Sequence, residues 1–213
     1  MIKIKQFVFN HFGENTYIVW DESKECVIID PGMNSDDEND KLSRFITENQ
    51  LVPKKVLLTH AHIDHVAGLR YVCEKYGLPV TMHIDGKTFL GQAESYATAM
   101  GFGTKAMDDL VVDCINDNDT IEFGNSLLKA LYVPGHAAGS MAFVADDAKK
   151  VFTGDVLFCQ SIGRTDLPTG DYDVLMQILR TKILTLPHTC EVLPGHGPNT
   201  TIGDEINLNP FLM

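Results

Sequence analysis

Short apolar runs closed by glycine or proline recur along this chain, and the period of their apolar positions changes from place to place. Alternation in Ile2-Lys3-Ile4-Lys5-Gln6-Phe7 predicts a strand over 2–9, and further strands are expected over 15–20 and 26–29. The acidic run Asp36-Asp37-Glu38-Asn39-Asp40 suits the positive end of a helix, predicted over 36–50. A strand over 54–59 precedes a helix over 65–76, whose stripe is Leu69, Val72, Cys73 and Tyr76 and whose stop is Gly77 before Pro79. Strands follow over 79–83, 119–123, 127–133, 141–145 and 149–153, then a helix over 171–185 and a last strand over 190–193. Segment 84–112, rich in Met and Ala and carrying Gly91, Gly101 and Gly103, has no clear period; it allows a helix lying over a site. Strands alternating with helices in both halves predict an α/β arrangement of two sheets packed face to face with helices outside. No repeat, linker or low-complexity tract divides it, so residues 1–213 are expected to form a single domain.

Composition narrows the classes. At 44% hydrophobic residues, and without an apolar run near the roughly 18 residues of a membrane span, no membrane partner is expected. The first residues read as a strand and not as a signal peptide. Five cysteines, scattered and without a Cys-x-x-Cys pair, argue for free thiols and a cytoplasmic setting. A net charge of −12 disfavours nucleic-acid binding.

The chemistry is concentrated in His60-Ala61-His62-Ile63-Asp64-His65, directly after Val56-Leu57-Leu58-Thr59. Imidazole and carboxylate together suit zinc, iron or manganese. At a strand end His60 and His62 point the same way, while Asp64 and His65, opening a helix, reach a second position nearby. Three more candidates each follow an apolar run and a glycine: His136 in Pro134-Gly135-His136, Asp155 in Thr153-Gly154-Asp155, and His196 in Pro194-Gly195-His196. His11, His83 and His188 lack such a setting and read as surface or packing residues, as does Cys159, which has no adjacent histidine.

This set resembles the metallo-β-lactamase-fold hydrolases, most closely their glyoxalase-II-like branch. Asn15-Thr16-Tyr17, Val27-Ile28-Ile29-Asp30-Pro31-Gly32 and Ser161-Ile162-Gly163-Arg164-Thr165-Asp166-Leu167-Pro168 extend the likeness over almost the whole chain. The resemblance implies a four-layer αββα sandwich. It places His60, His62 and His136 on one metal and Asp64, His65 and His196 on a second, with Asp155 bridging. Two divalent ions, zinc in the first place and iron or manganese as alternatives, would hold a hydroxide that attacks a small thioester. Asp64 and Asp155 are then the catalytic candidates, and Asp30 would orient a ligand histidine. Arg164 is the candidate to meet a substrate carboxylate, with an ion pair to Asp166 or Asp171 as its other role. Only 17 residues follow His196 (213 − 196) and none is Lys or Arg, so the chain is similar to the short members and weak glutathione binding is expected. A monomer or small homo-oligomer is anticipated. The alternatives are a mononuclear iron persulfide dioxygenase and a non-catalytic metal-binding protein; β-lactamases are disfavoured by His65.

Overall fold

The structure is a computed structural model that describes residues 1–145, 147 and 149–213. Strands β1 (Lys3–Phe9), β2 (Glu14–Trp20) and β3 (Glu25–Ile29) form an antiparallel meander. Strands β4 (Val52–Leu57), β5 (Val80–Met82) and β6 (Val112–Cys114) extend it in parallel to a six-stranded sheet. The second sheet contains β7 (Thr120–Phe123), β8 (Ser126–Tyr132), β9 (Met141–Ala145) and β10 (Lys150–Gly154). A small hairpin follows, made of β11 (Leu157–Phe158) and β12 (Ser161–Ile162), before β13 (Glu191–Pro194) and β14 (Thr200–Thr201) complete the second sheet in the order β14-β13-β10-β9-β8-β7.

Side-chain alternation converts these two sheets into a layered molecule. In β3, Cys26 and Ile28 enter an outer core, while Val27 and Ile29 enter the core between the sheets. In β9, Met141 and Phe143 face that central core, and Ala142 and Val144 face the opposite way. Helices close both outsides. The first face is covered by α1 (Asp36–Glu48) through Leu42 and Ile46, by α3 (Leu69–Tyr76) through Leu69 and Val72, and by α4 (Lys87–Met100) through Leu90 and Ala97. The second is covered by α5 (Tyr172–Ile178) through Leu175 and by α6 (Ile202–Leu208) through Ile202. Both faces of the central strands β3, β9 and β10 are therefore buried, which is why these read as near-continuous apolar runs, while β1, β4 and β7 alternate with exposed residues. The result is the αββα sandwich.

Local signals explain the helix ends. Ser35 Oγ accepts the amide of Glu38 at the start of α1, whose first turn carries Asp36, Asp37 and Glu38. The expected helix over 65–76 is in fact two, α2 (Ile63–Val66) and α3, broken at Gly68. The Gly68 amide turns aside to donate to the Pro31 carbonyl at 2.8 Å, and a Cβ there would meet Met33 Cε at 2.6 Å. The helix expected over 171–185 likewise changes at Leu179 into a π-helical turn, Leu179–Ile183. Segment 84–112 resolves into α4 and the approach to β6. The pattern missed α6, capped by Thr201 Oγ1 on the Asp204 amide, and the short strands β6, β11, β12 and β14.

Candidate metal centre

The loop after β4 carries His60 and His62, and α2 carries Asp64 and His65. His136 follows β8, Asp155 follows β10 and His196 follows β13. All seven predicted ligands meet along one edge of the sandwich. His62 Nδ1 lies 3.0 Å from His60 Nε2 and 3.0 Å from His136 Nε2. His196 Nε2 lies 3.0 Å, and His65 Nε2 3.7 Å, from Asp64 Oδ2. Asp155 faces both groups: Oδ1 is 3.3 Å from His65, and Oδ2 is 3.6 Å from His196, 3.7 Å from His136 and 4.0 Å from His60.

The hydrogen bonds behind the rings decide which nitrogen faces the centre. His136 Nδ1 contacts the Arg164 carbonyl at 2.8 Å, and His196 Nδ1 the Phe12 carbonyl at 3.2 Å. A carbonyl only accepts, so both Nδ1 atoms carry hydrogen and, in the neutral rings, both Nε2 atoms present lone pairs inward. His65 Nδ1 donates to Asp30 Oδ2 at 2.9 Å. Asp30 also accepts the Thr59 amide at 2.7 Å and the Thr59 hydroxyl at 2.5 Å, which leaves Thr59 Oγ1 free to accept from His60 Nδ1 at 3.1 Å. Asp30, close to His60 and His65, is thus filled by donors and orients both rings, the role expected of it for one. His62 alone of the five turns its Nδ1 to the cluster.

Lone pairs pointing at lone pairs and at carboxylate oxygens call for a cation. His65 Nε2 and Asp155 Oδ1 are buried without a hydrogen-bond partner, an arrangement that costs free energy unless another group fills it. The donor set fits two adjacent metal positions, one in His60, His62 and His136 and one in Asp64, His65 and His196.

Electrostatics separates the two cups. Burial, then His65 and His62, holds the His60 imidazole well below its usual range. Burial, then His136 and His65, pushes His62 down to about 4. Both rings are kept neutral, the form that binds metal. His65 goes the other way: burial opposes its charge, but Asp155 and Asp64 outweigh that and raise it well above normal. Burial also opposes ionisation of Asp155, yet His65 and the other rings hold its carboxyl far below the usual range. The carboxylate-rich cup therefore attracts positive charge, by proton or by metal.

One titratable neighbour has no signal in the sequence. Glu14 is fully buried at the start of β2, with Oε1 4.0 Å from His65 Nδ1 and Oε2 accepting the Thr16 hydroxyl at 2.8 Å. Burial raises its carboxyl well above the usual range. The adjacent Asn15 donates to the Pro194 and Gly197 carbonyls, and Tyr17 to the Pro194 carbonyl, so β2 pins the loop that carries His196. Arg164 lies at the rim of the cavity above the cluster, held by Asp166 through Nε at 2.7 Å and Nη2 at 2.8 Å. A substrate carboxylate would compete with Asp166 for it. Cys159 is half-buried.

The family assignment agrees with this site. Residues 10–196 match the Metallo-beta-lactamase superfamily, and the chain belongs to it. Its members are generally metal-dependent hydrolases. The hydroxyacylglutathione hydrolase GloC of Haemophilus influenzae is 36% identical over 203 residues, covering 94% of this chain and 93% of the relative. Among solved structures, the BLEG-1 B3 metallo-β-lactamase superposes with a TM-score of 0.88 at 34% identity, over 99% of this chain and 100% of that one. TTHA1623 in a di-iron-bound form gives 0.87 at 36% identity, over 98% of this chain and 100% of that one. No helix among the described residues is long and apolar enough to cross a membrane.

Proposed function

We propose that this protein is a glyoxalase-II-like, binuclear metal-dependent hydrolase of a small thioester. One observation carries the reading: Asp155 lies between two ligand cups, 3.3 Å from His65 and 3.7 Å from His136, at an open cavity. Divalent ions held there, zinc, iron or manganese, would supply acidified water and polarise a carbonyl. His60, His62 and His136 would hold one, and Asp64, His65 and His196 the other. The chain's own work is orientation. Asp30 and the Arg164 and Phe12 carbonyls lock the rings, so the donor atoms are placed before any ligand arrives. Asp64 borders the cavity; with Oδ2 turned to His196 at 3.0 Å to hold the ion, its other carboxylate oxygen would be the one to pass a proton. Hydrolysis adds water across the C–S bond to give an acid and a thiol. A thiol, with a pKa of about 8.5, departs as thiolate without a dedicated acid, which favours thioesters over amides. The similarity to a hydroxyacylglutathione hydrolase supports this class of bond. Five scattered cysteines without a Cys-x-x-Cys pair fit a reducing, cytoplasmic compartment.

Protein reconstituted with zinc, iron or manganese is expected to release thiol from a small acyl thioester, and a chelator to stop it. Asp155→Ala removes the group common to both cups, so its loss in kcat/KM should exceed the roughly 100-fold expected from losing an orienting partner such as Asp30. Metal-dependent oxygen uptake with a persulfide, without thiol release from any thioester, would overturn the reading.

A further inference from the structure

The cavity over the ligand cluster has a volume of about 490 Å³, within the range of small-molecule sites. Its candidate ligands, His62, Asp64, His136 and Asp155, sit together, and apart from Arg164 the rest of its lining is aliphatic or aromatic. One wall is α4. Phe89, Ala93, Tyr96 and Met100 follow at spacings of four, three and four residues, which aligns them on one face of the helix. Leu90 and Ala97 of the same helix pack into the core. Tyr96 and Met100 are 39% and 42% exposed, large apolar surfaces turned to the cavity. Phe158 and Ile162 of the β11–β12 hairpin belong to the same lining. Among the described lining residues, Arg164 is the one lysine or arginine, and Asp166 already engages it through two hydrogen bonds.

Resting on the thioester reading above, we propose that this cavity selects an apolar acyl chain, and that Tyr96 and Met100 of α4 sense its length. An alkyl chain laid on this wall removes apolar surface from water on both sides. Each added methylene then tightens binding roughly fourfold until the wall is covered. The carboxylates of a glutathione-like thiol would lose hydration here without gaining an unengaged cation among the described lining residues. Tyr96 and Met100 line the wall and touch no predicted ligand, so they act on binding and not on the bond that breaks.

The test uses two matched series. N-acetyl-S-alkylcysteamines from methyl to octyl, which cannot be hydrolysed, are titrated calorimetrically into metal-loaded protein. The corresponding S-acyl-N-acetylcysteamines are followed by thiol release. The expected result is a Kd falling roughly fourfold per methylene, with a heat-capacity change that grows more negative along the series. Tyr96→Ser with Met100→Ser, both at exposed positions, should flatten that slope, and S-hexylglutathione should gain nothing over N-acetyl-S-hexylcysteamine. A flat Kd series, or tenfold tighter binding of S-hexylglutathione, overturns the proposal. Length-dependent binding without thiol release from any thioester supports the apolar site and removes the thioester reading. Thiol release with no length dependence does the reverse.

Discussion

Gly195 stands against two ligands at once. A Cβ there would lie 2.3 Å from Asp155 Oδ1 and 2.6 Å from His65 Cε1. Gly195→Ala therefore displaces the Asp155 carboxylate and the His65 ring while leaving the outer cores alone. Metal affinity, measured by competition with a chromophoric chelator, is expected to fall about 10–100-fold, the scale seen when ligand orientation is disturbed. Unchanged affinity would show that Asp155 and His65 shift without consequence. The glycines at these places were readable in the sequence because each sits between an apolar run and a histidine or aspartate. Three of the seven convergent residues, His136, Asp155 and His196, followed from that local format, and the other four from the dense hexapeptide after β4. Glu14 did not, because a glutamate in a strand carries no spacing signature, and only the fold buries it beside His65. The carbonyls of Phe12 and Arg164 were invisible for a deeper reason: every residue has one, and only the folded loops bring them to His196 and His136.

At the scale of elements, α4 is the informative case. Its apolar residues occupy two faces, Leu90 and Ala97 toward the core and Phe89, Tyr96 and Met100 toward the cavity, so no single stripe stands out. Gly91 weakens the pattern further. The helix was legible only as an unassigned segment that could lie over the site. In the structure Gly91 is mid-helix with open space where a Cβ would sit. Gly91→Ala is expected to stabilise the protein by about 0.5–1 kcal/mol, by restricting the unfolded chain and raising helix propensity. A denaturant midpoint shifted upward with an unchanged slope is the confirming measurement, and a downward shift would mean that the helix uses a bend at this residue. The helix break at Gly68 was unreadable for the opposite reason. The periodic stripe continues on its far side, and the interruption comes from a tertiary contact with the Pro31 carbonyl.

For the whole molecule, the ligand set joins the two sheets. His60, His62, Asp64 and His65 follow β4 of the first sheet, whereas His136, Asp155 and His196 follow β8, β10 and β13 of the second. The face-to-face sheets were readable from the alternation of strands and helices; the edge where they meet was known only through the family resemblance, since register is a property of paired strands and not of one chain segment. Metal binding at this edge would then be coupled to folding of both halves. The chain already carries a net charge of −12, and Asp30, Asp64 and Asp155 are gathered at one edge, so a divalent ion relieves repulsion that the metal-free fold bears. An ion at 100 times its Kd stabilises the native state by about 2.7 kcal/mol per site. For a chain of this length each kcal/mol moves Tm by roughly 2–4 °C, so one filled site should raise it by about 5–10 °C in a single transition. The shift should shrink between pH 7.5 and pH 5.5, because His65 and His196, raised above the usual imidazole range, take protons that compete with metal in their cup, while His60 and His62, held below that range, stay neutral. Thermal melts with zinc and with chelator at pH 7.5 and pH 5.5 measure both effects. Asp155→Ala should lose most of the metal-induced shift, since it leaves each cup without its common carboxylate. An equal shift in that variant would place the stabilising ion somewhere other than between the two sheets.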